Sequence, residues 1–180
     1  ADSTGQQVQP AIFDMKVYDK PGDAETSPAI TDITAAIKEL AHGKPADSYT
    51  ASSGQAGQEA PNAFDASADS VWQAQSGLQT TEPQWLMVDF GKTETVARVD
   101  FTQYNNRAKL FKFQVSADAQ TWSDAFYGSV ESAADSGGVV SYTVVFPEAS
   151  GRYFRLWFEE TAADSTGQQV QPAIFDMKVY

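Results

Sequence analysis

Residues 1–18 read ADSTGQQVQPAIFDMKVY, and residues 163–180 repeat all eighteen letters at an offset of 162 residues. An identity of that length has a cause other than chance. One source is a window on a tandem array with a period of 162 residues. Another is a duplicated terminal strand that closes the fold or links copies, and a cloning remnant is the plainer alternative. Within the front copy Phe13, Met15 and Val17 alternate with Asp14 and Lys16, the period of a half-buried strand, and Ile174 to Tyr180 must read the same way. One domain offers one slot for such a strand, and this chain brings two candidates. If 163–180 fills its own slot, 1–18 is available to complete a neighbour, and the reverse also holds. A head-to-tail donation of this kind need not close into a ring.

The chain has 180 residues, enough for one domain with a short appendage. Twelve Lys and Arg against 24 Asp and Glu leave a formal charge of −12. That balance argues against nucleic acid as a partner, which needs a basic stripe, and against docking on an anionic membrane. Hydrophobic residues make up 42%, ample for a packed core. The absence of cysteine removes disulfides, thiolate metal sites and cysteine nucleophiles. No apolar run approaches the roughly 18 residues of a membrane span, and the first residues carry no signal-peptide pattern. The N-terminus is therefore expected to come from processing or from a longer chain.

Asp19 to Ser27 is polar and holds Pro and Gly, as a linker does. From Thr31, the spacing of Ile33, Ala36, Ile37, Leu40 and Ala41 predicts one amphipathic helix, stopped by Gly43 and Pro45. Residues 19–45 thus read as a linker with a short helix, ahead of a domain over 46–180. Strands are expected at Trp85–Phe90, Val96–Thr102, Leu110–Ser116, Val139–Phe146, Tyr153–Phe158 and Ile174–Tyr180, with a short one near Tyr49–Ala51. The expectation is an all-β antiparallel sandwich with one short flanking helix.

Asn62-Ala63-Phe64-Asp65-Ala66 through Ser70-Val71-Trp72, then Trp85 through Asp89-Phe90-Gly91, form the first two of five ordered motifs. Phe113-Gln114-Val115-Ser116-Ala117-Asp118 with Trp122, then Gly151-Arg152-Tyr153-Phe154-Arg155, and finally Asp176 in the last strand complete them. Over residues 46–180 the chain resembles the discoidin or coagulation factor V/VIII C-domain family, which includes the bacterial family-32 carbohydrate-binding modules. The resemblance implies an eight-stranded jelly-roll-like sandwich whose two ends lie close together. It also implies a bacterial protein that is secreted or displayed at the cell surface. This sequence departs from the pattern at Ala66 and Ala119, where the family has Gly, at Ser70 for Thr, and at Asp176 for Glu.

The resemblance further implies one structural Ca²⁺, held by Asp65, Asp69, Ser70, Asp176 and carbonyls near Asn62. Asp14 would replace Asp176 in a swapped strand. Clustered hard oxygens suit that ion, whereas an Asx-rich turn held by its own hydrogen bonds explains the same residues without metal. The turn at Tyr104-Asn105-Asn106-Arg107, with Lys109, offers an aromatic face, amides and a guanidinium to a sugar, and Gln75 and Gln103 are expected on the same rim. Asn-Asn is also an ordinary turn pair. The four tryptophans, Trp72, Trp85, Trp122 and Trp157, are expected in the core. A single His, His42, permits no zinc cluster or triad, and Glu159 and Glu160 are neighbours that point to opposite faces of a strand. Catalysis is not expected. The leading reading is a repeated carbohydrate-binding and adhesion module that takes a glycan. The alternative is the structural repeat of a fibre or adhesin stalk, joined to neighbouring copies by exchange of the terminal strand.

Overall fold

A computed structural model of the chain describes residues 38–77, 82–105, 107–130 and 138–180. The compact unit runs from Ile37 to Tyr180. Its strands are β1 (Tyr49–Ala51), β2 (Trp72–Gln73), β3 (Gln84–Tyr104), β4 (Ala108–Ser116), β5 (Ser123–Ser129), β6 (Val139–Thr161) and β7 (Ala173–Val179). All pairings are antiparallel, in the order β2-β7-β3-β6-β4-β5, with β1 added beside β3.

Two long strands explain how one ladder makes two faces of a sandwich. The first half of β3 pairs with β1 and with the second half of β6, which in turn carries β4 and β5. The second half of β3 pairs with β7 and with the first half of β6. The corner lies where the β3–β6 register shifts, between Asp89 and Glu94 and again between Val96 and Arg98. Strands that change sheets at such irregularities are the usual way of turning a sandwich corner. Gly91 sits there with φ +81°, a conformation that costs other residues more. Opposite it, a Cβ on Gly151 would stand 2.9 Å from the backbone of Ser116, so β4 and β6 approach closely only because position 151 is bare. Gly91 and Lys92, expected to end a strand, therefore bend one.

The core is the shared interior of these faces. Leu86, Val88, Phe101, Phe113, Phe154, Leu156, Ile174 and Met177 are wholly or almost wholly buried, with Trp72 and Phe64 closing one side. Phe113 is the hub: its ring lies within 6.1 Å of those of Phe101, Phe111, Phe126, Phe146 and Phe154. Of the four tryptophans only Trp72 is core. Trp85, Trp122 and Trp157 are half-buried, because Trp85 and Trp157 occupy outward positions of paired strands. The Arg155 guanidinium stacks on Trp122 at 3.9 Å and on Trp157 at 4.3 Å, and burial there pushes its pKa down to about 10.

Two expectations near the front of the domain need correction. Lys38, Glu39 and Leu40, the last turn of the predicted helix, are not helical, and the rest of that helix lies outside the described residues. Instead Leu40 N–H donates to the Val179 carbonyl at 2.8 Å, and Leu40 and Ala41 are buried. Their apolar spacing serves burial against β7, and residues 38–45 belong to the domain rather than to a connector. The contact between Leu40 and Val179 also brings the two ends of the domain together, as the resemblance implied.

Candidate functional site

The turn that joins β3 to β4 is built around Gln103. Its side chain is fully buried, and its amide oxygen accepts the Ala108 N–H at 2.6 Å, closing the turn from inside. Gln103 is therefore a support and not the rim residue expected from sequence. Asn105 adopts φ +51°, which Asn tolerates better than most residues, and its N–H reaches the Gly138 carbonyl. Asn106 lies outside the described residues. The Arg107 guanidinium covers the Tyr104 ring at 4.8 Å and donates to the Gln171 carbonyl at 3.2 Å. Lys109 is engaged by Glu160 at 2.6 Å.

The structure adds Phe175, whose ring centroid lies 6.4 Å from that of Tyr104. Strict alternation would bury Phe175 with Met177 and Val179. A register shift in the β3–β7 ladder between Thr102 and Gln103 buries Ile174 in its place and turns Phe175 outward. A bulge has no signature in the residues that flank it, which is why alternation alone misassigns this side chain. Gln75 is exposed just beyond β2, the neighbour of β7, so it stands at the same end of the sheet. The Ala74 N–H bonds the Pro172 carbonyl there, tying the loops of this rim to one another. A half-exposed tyrosine backed by a guanidinium and a phenyl ring, with the exposed Gln75 amide at the same end of the sheet, offers C–H stacking and hydroxyl recognition together.

At the loop after Phe64, Asp65 accepts from the Ser67 N–H at 2.9 Å and from the Ser70 hydroxyl at 2.7 Å, while Ser67 Oγ accepts the Asp69 N–H. The Ser70 hydroxyl also lies 3.5 Å from the Asn62 carbonyl, and the Asn62 amide caps the Gly57 and Val71 carbonyls. Asn62, Asp65 and Ser70 are thus brought together. Asp176 lies 2.9 Å from His42 Nε2 and 3.3 Å from Lys178 Nζ. Among the described residues no group of three or more His, Asp or Glu side chains is arranged to hold a metal ion. Asp14, the ligand expected in a swapped strand, lies outside the described residues.

The adjacent Asp176 carboxylate raises the His42 pKa, aided by Glu39 and opposed by burial. Burial works against the charged form of Asp176, but His42 and Lys178 outweigh it and hold the carboxyl below its usual range. The two oxygens of Glu39 cap the Ala41 and His42 N–H groups, and one of them also accepts from Val179. The front of the domain is therefore fastened to β7 by a carboxylate and an ion pair.

These features describe a jelly-roll-like β-sandwich with its loops tied together at one end. The F5/8 type C domain family model matches residues 48–170, more than half of the chain, and the chain belongs to that family. Chitosan-binding module 1 of the chitosanase/glucanase from Paenibacillus sp. IK-5 is similar, at 27% identity and a TM-score of 0.62, over 80% of this chain and 99% of that one. Module 2 of the same enzyme, solved with chitotriose, is 22% identical with a TM-score of 0.62, covering 78% of this chain and 98% of its own. CpGH89CBM32-5 from Clostridium perfringens, solved with GalNAc-beta-1,3-galactose, shares 18% identity and a TM-score of 0.61, over 79% of this chain and 99% of that chain. No curated protein matches the sequence.

Proposed function

We propose that this chain is a non-catalytic carbohydrate-binding module of an extracellular bacterial protein, and that it takes its ligand at the Tyr104 rim. The observation that carries the reading is the cluster of Tyr104, Arg107 and Phe175, which joins an aromatic platform to a guanidinium held in place by the Gln171 carbonyl. The ligand class we favour is a glucosamine-containing polysaccharide. The similarity to a chitosan-binding module and the formal charge of −12 both support it, since an acidic protein attracts an amino-sugar polymer and repels a polyuronate. In a tandem arrangement, weak sites of this kind would gain through effective concentration.

The test is titration of the wild type and of Tyr104→Ala with Arg107→Ala against chito-oligosaccharides, galactosides and uronic acid oligomers. Wild type should bind the glucosamine oligomers, and the double variant should lose at least tenfold in affinity, about 1.4 kcal/mol. Unchanged binding by the double variant removes this rim from the reading.

The second reading, linkage of copies through the terminal strand, draws on one observation. β7 is paired along both edges, and an identical sequence stands at 11–17, so one slot has two claimants.

A further inference from the structure

The first half of β6 lies at an edge. Val139 to Val145 pair residue by residue with β3, from Tyr104 back to Arg98, and the register does not shift over that run. β4 joins β6 only from Tyr153 onward, so among the described strands β3 alone runs beside this half. Proteins usually blunt such edges by shortness, charge, Pro or a bulge. The other described edges follow that rule: β1 has three residues, β2 has two, and β5 carries Asp124 and Gly128. Val139 to Phe146 has none of these devices and no charged residue, in a chain of net charge −12. Among the described residues three large hydrophobic side chains stand exposed, and two of them, Val139 at 56% and Val145 at 71%, lie on this edge.

The sequence of the edge is also close to its own reverse. Val139-Val140-Ser141-Tyr142-Thr143-Val144-Val145 reads nearly the same in both directions about Tyr142. In an antiparallel pair with a two-fold axis at Tyr142, Val139 of one copy faces Val145 of the other, Val140 faces Val144, and Ser141 faces Thr143. Directly opposed side chains of matching character are the unit that stabilises a ladder, Thr with Ser among them. This register sets the exposed Val139 and Val145 against each other, and likewise the half-buried Val140 and Val144. Charge permits it as well. Asp100 stands beside Thr143 and Arg98 beside Val145, and the two are paired with each other. Across the seam Asp100 would look along the row to Ser141 and Thr102 of the second copy, so no carboxylate of the ladder meets another.

We propose that Val139–Val145 is the contact of a symmetric homodimer, in which the edges of two copies pair antiparallel about Tyr142. The sheet of β2, β7, β3 and β6 then runs on through the seam into the same strands of the second copy. A two-fold contact uses the same patch on both copies and stops at two, unlike head-to-tail exchange of the terminal strand. The proposal is independent of the glycan reading.

The test is the solution mass of the full-length chain, followed from low to several hundred micromolar, because a seam of one strand is at the small end of stable interfaces. The wild type should pass from monomer to dimer and go no further. Ser141→Lys with Thr143→Lys, both at exposed positions, sets lysine against lysine across the seam and should stay monomeric throughout. Ser141→Glu with Thr143→Lys sets opposite charges against each other in the proposed register and should dimerise again. Thermal melts of both variants check that each is folded. A wild type that is monomeric at every concentration overturns the proposal, and so does a dimer that persists in the double-lysine variant. A folded Glu–Lys variant that stays monomeric overturns it too, since 141 is then not opposite 143. Glycan affinity is read separately, so failure here leaves the rim reading standing.

Discussion

Ala66 and Ala119 adopt φ +60° and +59°, at the two positions where the family pattern carries glycine. The turn chemistry around them is complete without their side chains. Ser116 Oγ accepts the Asp118 and Ala119 N–H groups, and Asp118 Oδ1 accepts those of Gln120 and Thr121. Asp65 does the equivalent work beside Ala66 through Ser67 and Ser70. The alanine methyls thus carry the cost of left-handed backbone, about 1–2 kcal/mol each, with little packing in return. Glycine removes that cost and adds back part of it as chain entropy. Ala119→Gly and Ala66→Gly should each stabilise the domain by about 0.5–1 kcal/mol, read as a higher denaturant midpoint at unchanged slope. A lower midpoint would mean that the methyl groups pack in a way the turns do not indicate.

At the scale of elements, the fastening of residues 38–44 to β7 decides how stability depends on pH. His42 faces Asp176, with Glu39 and Lys178 as the other charged groups around it. Its folded pKa is raised, so its contribution is fully present below the unfolded value and lost as pH rises through the folded one. Asp176 is lowered, so its share is present above the ordinary carboxylate range and lost only as pH falls through its depressed value. The pair therefore stabilises between those limits. Both side chains are mostly buried, and about 1 kcal/mol is expected, or roughly 2–4 °C in Tm for a domain of this size. Wild type should lose that margin between pH 6 and pH 9, and His42→Gln should not. Equal losses in both, followed by calorimetry, would place the pH sensitivity elsewhere.

Strand positions were largely legible because burial on one face imposes a period of two, as in Leu86-Met87-Val88-Asp89-Phe90. Their continuity was not. Gly91 looks like a terminator in sequence, yet β3 continues through it, across a break in the β3–β6 pairing, and serves both sheets. The edge strand Ser123–Ser129 went unseen because it is mostly exposed and lacks a clear alternation. At the rim, Tyr104 and Arg107 were visible as residue types in a turn. Phe175 required the bulge, and the inward aim of Gln103 required the fold. The motif residues Asp89 and Arg152 turned out to be partners of each other, a two-pronged pair at 2.9 and 2.8 Å that clamps β3 to β6 and draws the Asp89 pKa below its usual range.

For the whole molecule, charge is the property that no local contact removes. Lys109, Lys112, Arg152 and Lys178 each meet a carboxylate, and Arg98 pairs with Asp100. Even if every one of the 12 Lys and Arg were matched one to one, 12 of the 24 carboxylates would remain. The surplus gives the molecule as a whole a negative field, and its reach is set by salt, about 10 Å at 0.1 M and 3 Å at 1 M. A rim that recognises sugar by stacking and hydrogen bonding contributes a part of the affinity that salt barely touches, whereas the field contributes a part that salt removes. The two separate in one experiment on two ligands of equal length, one with free amines and one N-acetylated. Affinity for the cationic oligomer should fall several-fold between 0.05 and 0.5 M NaCl, with most of the loss in the association rate. Affinity for the acetylated oligomer should hold steady, and Tyr104→Ala should weaken both to a similar degree at high salt. Equal salt responses for the two ligands would take the field out of recognition and leave the rim alone to choose the sugar.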